Sequence, residues 1–199
     1  MTASQGARRL ISALAAALVV VTSAGPAMAK SERVSADRAA ISPRVATSVT
    51  KSVVMANVQN VLNLRAEMAR AAYAKATRTA VLKVARAQIG DPYVAGKAGP
   101  DGFDCGGLVQ FVFKKALGKE LLRSSRQQYT QVKKIKRKNA QPGDLVFFFE
   151  GGAHHVGIYI GNGKMIDAPR RGQKVRVSPI EGSWWGRSYT GMGRVLPAV

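Results

Sequence analysis

The apolar positions change their period twice along this chain. From Leu10 to Val21 they are nearly contiguous. Between Arg44 and Ile89 there is neither glycine nor proline, and Val54, Val58, Val61, Leu64, Met68 and Ala71 recur at helical spacing. That pattern predicts an amphipathic helix or a helical hairpin, its stripe packed on the chain's own domain. A second helix is predicted over Thr79 to Ile89, stopped by Gly90. Beyond Gly90, glycine and proline become frequent and short β-branched and aromatic runs appear. "DLVFFFE" (144–150), "HVGIYI" (155–160), "KMIDA" (164–168) and "KVRVSPI" (174–180) read as strands. One helical segment, Cys105 to Leu117, lies ahead of them. Helices first and an antiparallel meander after define an α+β domain, and no internal repeat is visible.

The amino-terminal apolar run is an address rather than part of this fold. Arg8 and Arg9 precede it, "AMA" ends at Ala29, and the run is too short to span a bilayer. It reads as a secretory signal peptide cleaved after Ala29, with the general and twin-arginine routes both open. The expected organisation is a signal peptide (1–29), a polar aperiodic tether (30–43), a helical segment (44–78) and a domain (79–199). The destination is extracellular or in the cell envelope.

Charge sharpens the picture. Thirty-one Lys and Arg face 11 Asp and Glu, a net +20, and loss of residues 1–29 leaves +18. Such a chain is drawn to polyanions. Export removes most nucleic acid from reach, so no nucleic-acid partner is expected and an anionic envelope polymer is favoured. The block Lys133, Lys134, Lys136, Arg137 and Lys138 is either a solvated face or a grip on such a polymer. Two histidines and one cysteine do not make a zinc set, and no phosphate-cradling glycine loop occurs. Neither metal nor cofactor is expected. A single cysteine excludes an intramolecular disulfide, so an exported Cys105 is either buried and inert or a reactive site.

The surroundings of Cys105 favour reactivity. Asp104 is an N-cap type, and Leu108, Val109, Val112 and Ala116 follow at helical spacing, placing Cys105 in a first helical turn. Unsatisfied amides and the helix dipole favour an anion there. Gly106 and Gly107 strip side chains from this turn and leave N–H groups open to a substrate oxygen. An ordinary core helix has little reason to accept two glycines, at roughly 1 kcal/mol each against alanine. A thiolate nucleophile needs a proton carrier. His154 and His155 are adjacent, so strand alternation turns at most one towards the helix, and His155 begins the cleaner strand. An orienting acceptor is offered by Asp167, twelve residues on. A two-residue Asn-Gly turn in "GNG" (161–163) would put Asp167 on the wrong face. A three-residue loop sets Gly157 opposite Asp167, with His155 a diagonal neighbour roughly 7 Å away. The three-residue loop is the expectation.

"GDPYVAGKAGPDGFDCGGLVQ", "LLRSSRQQY", "QPGDLVFF" and "HVGIYIGNGKMIDAP" resemble, in order and spacing, the NlpC-type cell-wall peptidases. These are papain-like cysteine peptidases that cut peptidoglycan stem peptides, and the resemblance runs from about Thr79 to Leu196. It implies Cys105 as nucleophile, His155 as base and Asp167 as the third polar member. It also implies a groove lined by Tyr93, Asp104, Arg123, Ser124 and Ser125, to which the amide of Gly106 adds. The implied reaction is hydrolysis of a stem-peptide amide between D-isoglutamate and a diamino acid. Three positions depart from the family pattern: Gly106 for its serine, Ala95 for an aromatic, and Lys97 for a glycine. They bear on substrate preference and rate more than on reaction type. A catalytically silent, cationic wall-binding protein on the same scaffold is the alternative. The 44–78 segment is read as a groove cover or a self-association element, and Trp184 and Trp185 as core or rim residues.

Overall fold

A computed structural model of the chain describes residues 43–152, 154–182 and 185–198. The signal sequence and tether lie outside the described residues, as does Trp184. The chain divides into two compact units, Met1–Ala46 and Thr47–Val199; of the first, only the helical residues 43–46 are described.

The long stretch without glycine or proline forms one helix, α1 (Pro43–Ala87, 45 residues). It runs without a break through 78 and 79, so the two predicted helices are one. The predicted stripe is also corrected: Val54, Val58, Val61, Leu64 and Met68 are all exposed, at 49% to 65%. The physical reason is sidedness. Val53, Val54 and Met55 are consecutive, and Val61, Leu62 and Leu64 crowd another turn, so apolar groups wrap the helix instead of marking one face. Burial begins at Ala74 and continues through Thr77, Arg78, Val81 and Ala85. Arg78 anchors this end. Its guanidinium donates to the carbonyls of Pro142 (2.7 Å) and Pro197 (2.8 Å) and pairs with buried Asp144 (3.2 Å). Asp144 also takes Arg194 (2.7 Å) and the Gln141 amide.

Two shorter helices follow, α2 (Cys105–Leu117) and α3 (Ser125–Gln131). Six strands complete the fold: β1 (Lys133–Ile135), β2 (Leu145–Phe148), β3 (His155–Gly161), β4 (Lys164–Asp167), β5 (Arg176–Pro179) and β6 (Tyr189–Arg194). They form one antiparallel sheet in the order β1-β6-β2-β3-β4-β5. The α+β class and the β2–β5 meander match the sequence reading; α3, β1 and β6 were not anticipated. In β6, Gly191 and Gly193 depress strand propensity. Gly193 is nonetheless required, because a Cβ there would lie 2.1 Å from Val132 Cγ2. The basic block conceals β1, an edge strand whose lysines discourage further pairing.

One face of the sheet carries α1 and α2 through Val81, Ala85, Leu108, Val112, Phe147, Val156, Ile158 and Ile166. The other face is smaller, built from Val146, Phe148, Met165, Ile180, Trp185 and Met192. The β3–β4 hairpin corrects the expected loop. Gly161 pairs with Lys164, so Asn162 and Gly163 form a two-residue turn, with φ of 52° and 65°. The register then shifts between Tyr159 and Gly161, and Ile158 pairs with Ile166. A bulge supplies the extra residue that a longer loop was expected to provide. Gly157 is therefore level with Asp167 after all.

Candidate active site

The hairpin register sets the first contact. His155 and Asp167 project from the same face of β3 and β4, and His155 Nε2 lies 2.9 Å from Asp167 Oδ2. Both side chains are buried, at 3% and 0% exposure. Asp167 Oδ1 accepts from Ser178 Oγ at 2.6 Å, and Ser178 Oγ in turn accepts from Arg176 Nε at 3.3 Å. Both carboxylate oxygens are thus held. Trp185 stacks on the His155 ring, with centroids 4.4 Å apart and planes within 21°. Phe148 braces Trp185 and the imidazole.

With Nε2 committed to Asp167, the ring's Nδ1 is the atom left for the Cys105 sulfur, with which His155 is hydrogen-bonded. Burial acts to depress the imidazole pKa, but the hydrogen bonds and charges of Asp167 and Cys105 outweigh it. The net result is a pKa raised to about 9. Cys105 itself is partly exposed at the first position of α2, its sulfur 3.9 Å from the His154 carbonyl. α2 packs on β3, which brings thiol and imidazole together. His154 is exposed and lies edge-on to Phe149.

Asp104 caps α2 as predicted and does more. Its carboxylate accepts from the amides of Gly107 (2.7 Å) and Gly96 (2.9 Å). It also receives the Arg123 guanidinium through two bonds, of 2.8 and 2.6 Å. Burial would raise its pKa, but Arg123 and the Gly107 amide overcome this and hold the carboxyl below its usual range. The role expected of the two glycines is corrected in part. A Cβ on Gly106 would lie 2.4 Å from the Arg123 carbonyl oxygen, and one on Gly107 would lie 2.1 Å from that of Lys97. Both glycines exist so that two loops can close on the start of α2. The Gly107 amide is taken by Asp104, whereas those of Cys105 and Gly106 have no acceptor among the described residues. The candidate oxyanion site is that pair.

Among the other predicted groove residues, Tyr93 lies beside the thiol. Its phenol pKa is raised by burial first and then by neighbouring Cys105 and Asp104. Arg123 is committed to Asp104 and the Lys97 carbonyl. Ser124 is the N-cap of α3 in a capping box with Gln127, and Ser125 is buried. Both serines shape the loop that presses on Gly106. Gln128 of α3 fastens the same turn, donating to the Gly106 carbonyl at 2.9 Å.

Ser178 was missed, whereas Trp185, read as a core or rim residue, is buried in the core but its place on the imidazole was not foreseen. Ser178 shares its strand face with Lys174, Arg176 and Ile180, so alternation of polar and apolar positions gave no signal for it. Trp185 left no signal, because a loop rather than a strand period delivers it. Two hollows flank this architecture. A cavity of about 260 Å³ opens beside His155 and Trp185, with Arg170, Gln173 and Arg176 also on its walls. A larger cleft of about 1160 Å³ runs along β1, away from the thiol, and is lined by Lys119, Lys133, Lys134, Lys136 and Lys138.

The chain is similar to several known proteins. A probable endopeptidase p60 from Listeria grayi is 46% identical over 121 residues, which are 60% of this chain and 23% of that protein. The murein DD-endopeptidase MepH of Escherichia coli is 39% identical over 137 residues, 66% of this chain and 50% of MepH. The chain therefore corresponds to half or less of the length of these relatives. Among solved structures, RipD of Mycobacterium tuberculosis superposes with a TM-score of 0.53 at 31% identity, over 60% of this chain and 98% of RipD. RipD is described as a non-catalytic NlpC/p60 domain protein adapted to peptidoglycan binding. Residues 90–194 match the NlpC/P60 family, the span that holds Cys105, His155 and Asp167, and the chain belongs to that family.

Proposed function

We propose that the chain is an exported cysteine peptidase that hydrolyses amide bonds in peptidoglycan stem peptides. The observation that carries this reading is the unbroken row Cys105–His155–Asp167, buried at the carboxylate end and open at the sulfur. Residues 1–29 direct export, and 30–43 are a polar tether ahead of the helical segment.

The Cys105 thiolate attacks the scissile carbonyl carbon, and the amides of Cys105 and Gly106 receive the oxygen as it becomes an anion. The His155 imidazolium, stabilised between sulfur and carboxylate, gives its proton to the leaving nitrogen. The amine departs and a thioester remains on Cys105. His155, now neutral, takes a proton from water; the hydroxide formed attacks the thioester, and the thiolate is released. Asp167 holds the ring so that one nitrogen always faces the sulfur. Tyr93 and the Asp104–Arg123 pair form the acyl side of the cleft. The scissile bond we assign joins D-isoglutamate to the amine of a diamino acid.

Purified sacculi incubated with the mature chain should release muropeptides, and Cys105→Ala should stop the release. Mass spectrometry of the fragments reads which bond was cut. Undiminished release by the cysteine variant would overturn the proposal. RipD supports a second reading, a wall-binding protein without turnover, but the complete Cys–His–Asp row favours hydrolysis because adhesion needs none of it. Adhesion is assigned to the lysine-lined cleft along β1, as a contact with anionic wall polymer that holds the enzyme near its substrate.

A further inference from the structure

Among the described residues, one buried side-chain polar atom has no hydrogen-bond partner, the Oε1 of Gln128. The residue is fully buried on α3. An orphaned oxygen is costly in such a place, and an apolar side chain of similar length would avoid it. What a glutamine supplies there is its nitrogen. Nε2 donates to the Gly106 carbonyl at 2.9 Å and to the Leu122 carbonyl at 2.8 Å. Both partners only accept, so the amide can turn nothing but its nitrogen to them. The Gly106 carbonyl belongs to a peptide plane that is held at its other end as well. The Gly107 amide of that plane donates to Asp104 at 2.7 Å. A planar unit fixed at both its oxygen and its nitrogen cannot swing, although the glycines on either side offer little resistance of their own. One Cα away from this plane is the Gly106 N–H, which with the Cys105 N–H makes the candidate oxyanion site. The second bond, to Leu122, ties the same nitrogen to the loop whose next residue presses its carbonyl on Gly106. A single buried amide thus sets how the first turn of α2 stands against that loop.

We infer that Gln128 is the positioning residue of the oxyanion site: it holds the start of α2 so that the Cys105 and Gly106 amides stay aimed at the oxygen that becomes an anion. Donors fixed in advance stabilise such an anion more than donors that must reorient during the reaction. The inference rests on the peptidase reading above and deepens it. It leaves the thiol's proton partner untouched, because His155 comes from β3 and is oriented by Asp167.

Two reactions of Cys105 test it. Hydrolysis of a stem peptide passes through an oxyanion. Attack on dipyridyl disulfide forms a mixed disulfide and releases a pyridine thione, with no oxyanion on the way. Gln128→Met keeps the length of the side chain and removes the donor, whereas Gln128→Asn keeps the amide but withdraws it by one methylene. Gln128→Met should lower kcat for hydrolysis by about tenfold or more while KM stays within about threefold. The rate and pH profile of its disulfide reaction should stay within about twofold of wild type, because thiol and imidazole are undisturbed. Gln128→Asn should show the same split, less strongly. Undiminished hydrolysis in both variants, a loss confined to KM, or a loss matched by a changed disulfide rate or profile in both overturns the assignment and leaves Cys105-dependent cleavage standing. A wild-type chain that reacts with the disulfide but cuts no stem peptide, or cleavage that survives Cys105→Ala, overturns the peptidase reading and the assignment with it.

Discussion

Asp167 turns neither of its carboxylate oxygens to solvent: one receives His155 Nε2 and the other Ser178 Oγ. A carboxylate fixed at both ends cannot swing away, so it both orients the imidazole and favours its charged form. The folded pKa of His155 is raised to about 9. The stability this pairing contributes is complete below the ordinary imidazole value and is lost as pH rises through about 9. Activity that depends on imidazolium should fall over the same alkaline range. Asp167→Asn removes the charge that opposes desolvation, so the alkaline limb of the kcat/KM profile should move down by about one pH unit or more. The rate should also drop, by roughly ten- to a hundredfold. An unmoved limb would mean that Asp167 does not set the proton affinity of His155. Much of this row was legible beforehand, from the motif resemblance and, on the assumption of an odd loop, from strand parity. The bulge that secures the parity was not, since a one-residue register shift leaves no mark on alternation. Ser178 and Trp185 depend on the β4–β5 register and on a loop path, neither of which local pattern encodes.

Helix α1 behaves as two physical objects joined by one backbone. Its apolar groups up to Met68 wrap the helix and stay exposed, whereas from Ala74 onward a single face is buried. The anchor between element and domain is Arg78, whose guanidinium joins buried Asp144 to the carbonyls of Pro142 and Pro197. Arg78→Ala leaves those acceptors in an interior from which water is largely excluded. Asp144 keeps Arg194, so the expected loss is at the low end for a broken buried pair, about 2–3 kcal/mol. A denaturant titration measures it as a lower midpoint with an unchanged slope; a shift under 0.5 kcal/mol would assign Arg78 no such role. Sequence periodicity found the helix but misread its sidedness. The cue was the consecutive triplet Val53, Val54 and Met55, which no single face accommodates. At α2 the cap and the reactive turn were readable from Asp104 and the glycines. The reason for the glycines was not, because the loops that press on them come from residues 97 and 123.

At the scale of the whole molecule, the thiol and the lysine-rich cleft are separate. The Cys105–His155–Asp167 row sits where α2 meets β3, while five lysines line the separate cleft along β1. If those lysines hold anionic wall polymer, retention on sacculi should fall steeply as ionic strength rises past the range where screening shortens to about 10 Å. Replacing Lys133, Lys136 and Lys138 together with Gln should flatten that dependence in a co-sedimentation series. Retention indifferent to salt would dismiss the electrostatic contact. The basic block was visible at once in the sequence; that part of it is an edge strand was not, because pairing with β6 rests on a glycine-rich segment of weak propensity. That same segment has a temporal consequence. Since β6 lies between β1 and β2, strand β1 stays unjoined from the β2–β5 meander until residues 189–194 are free to enter. The meander meanwhile exposes the open edge of β2 to any neighbouring chain. A polypeptide of this topology completes its sheet only after β6 has left whatever machine made or carried it.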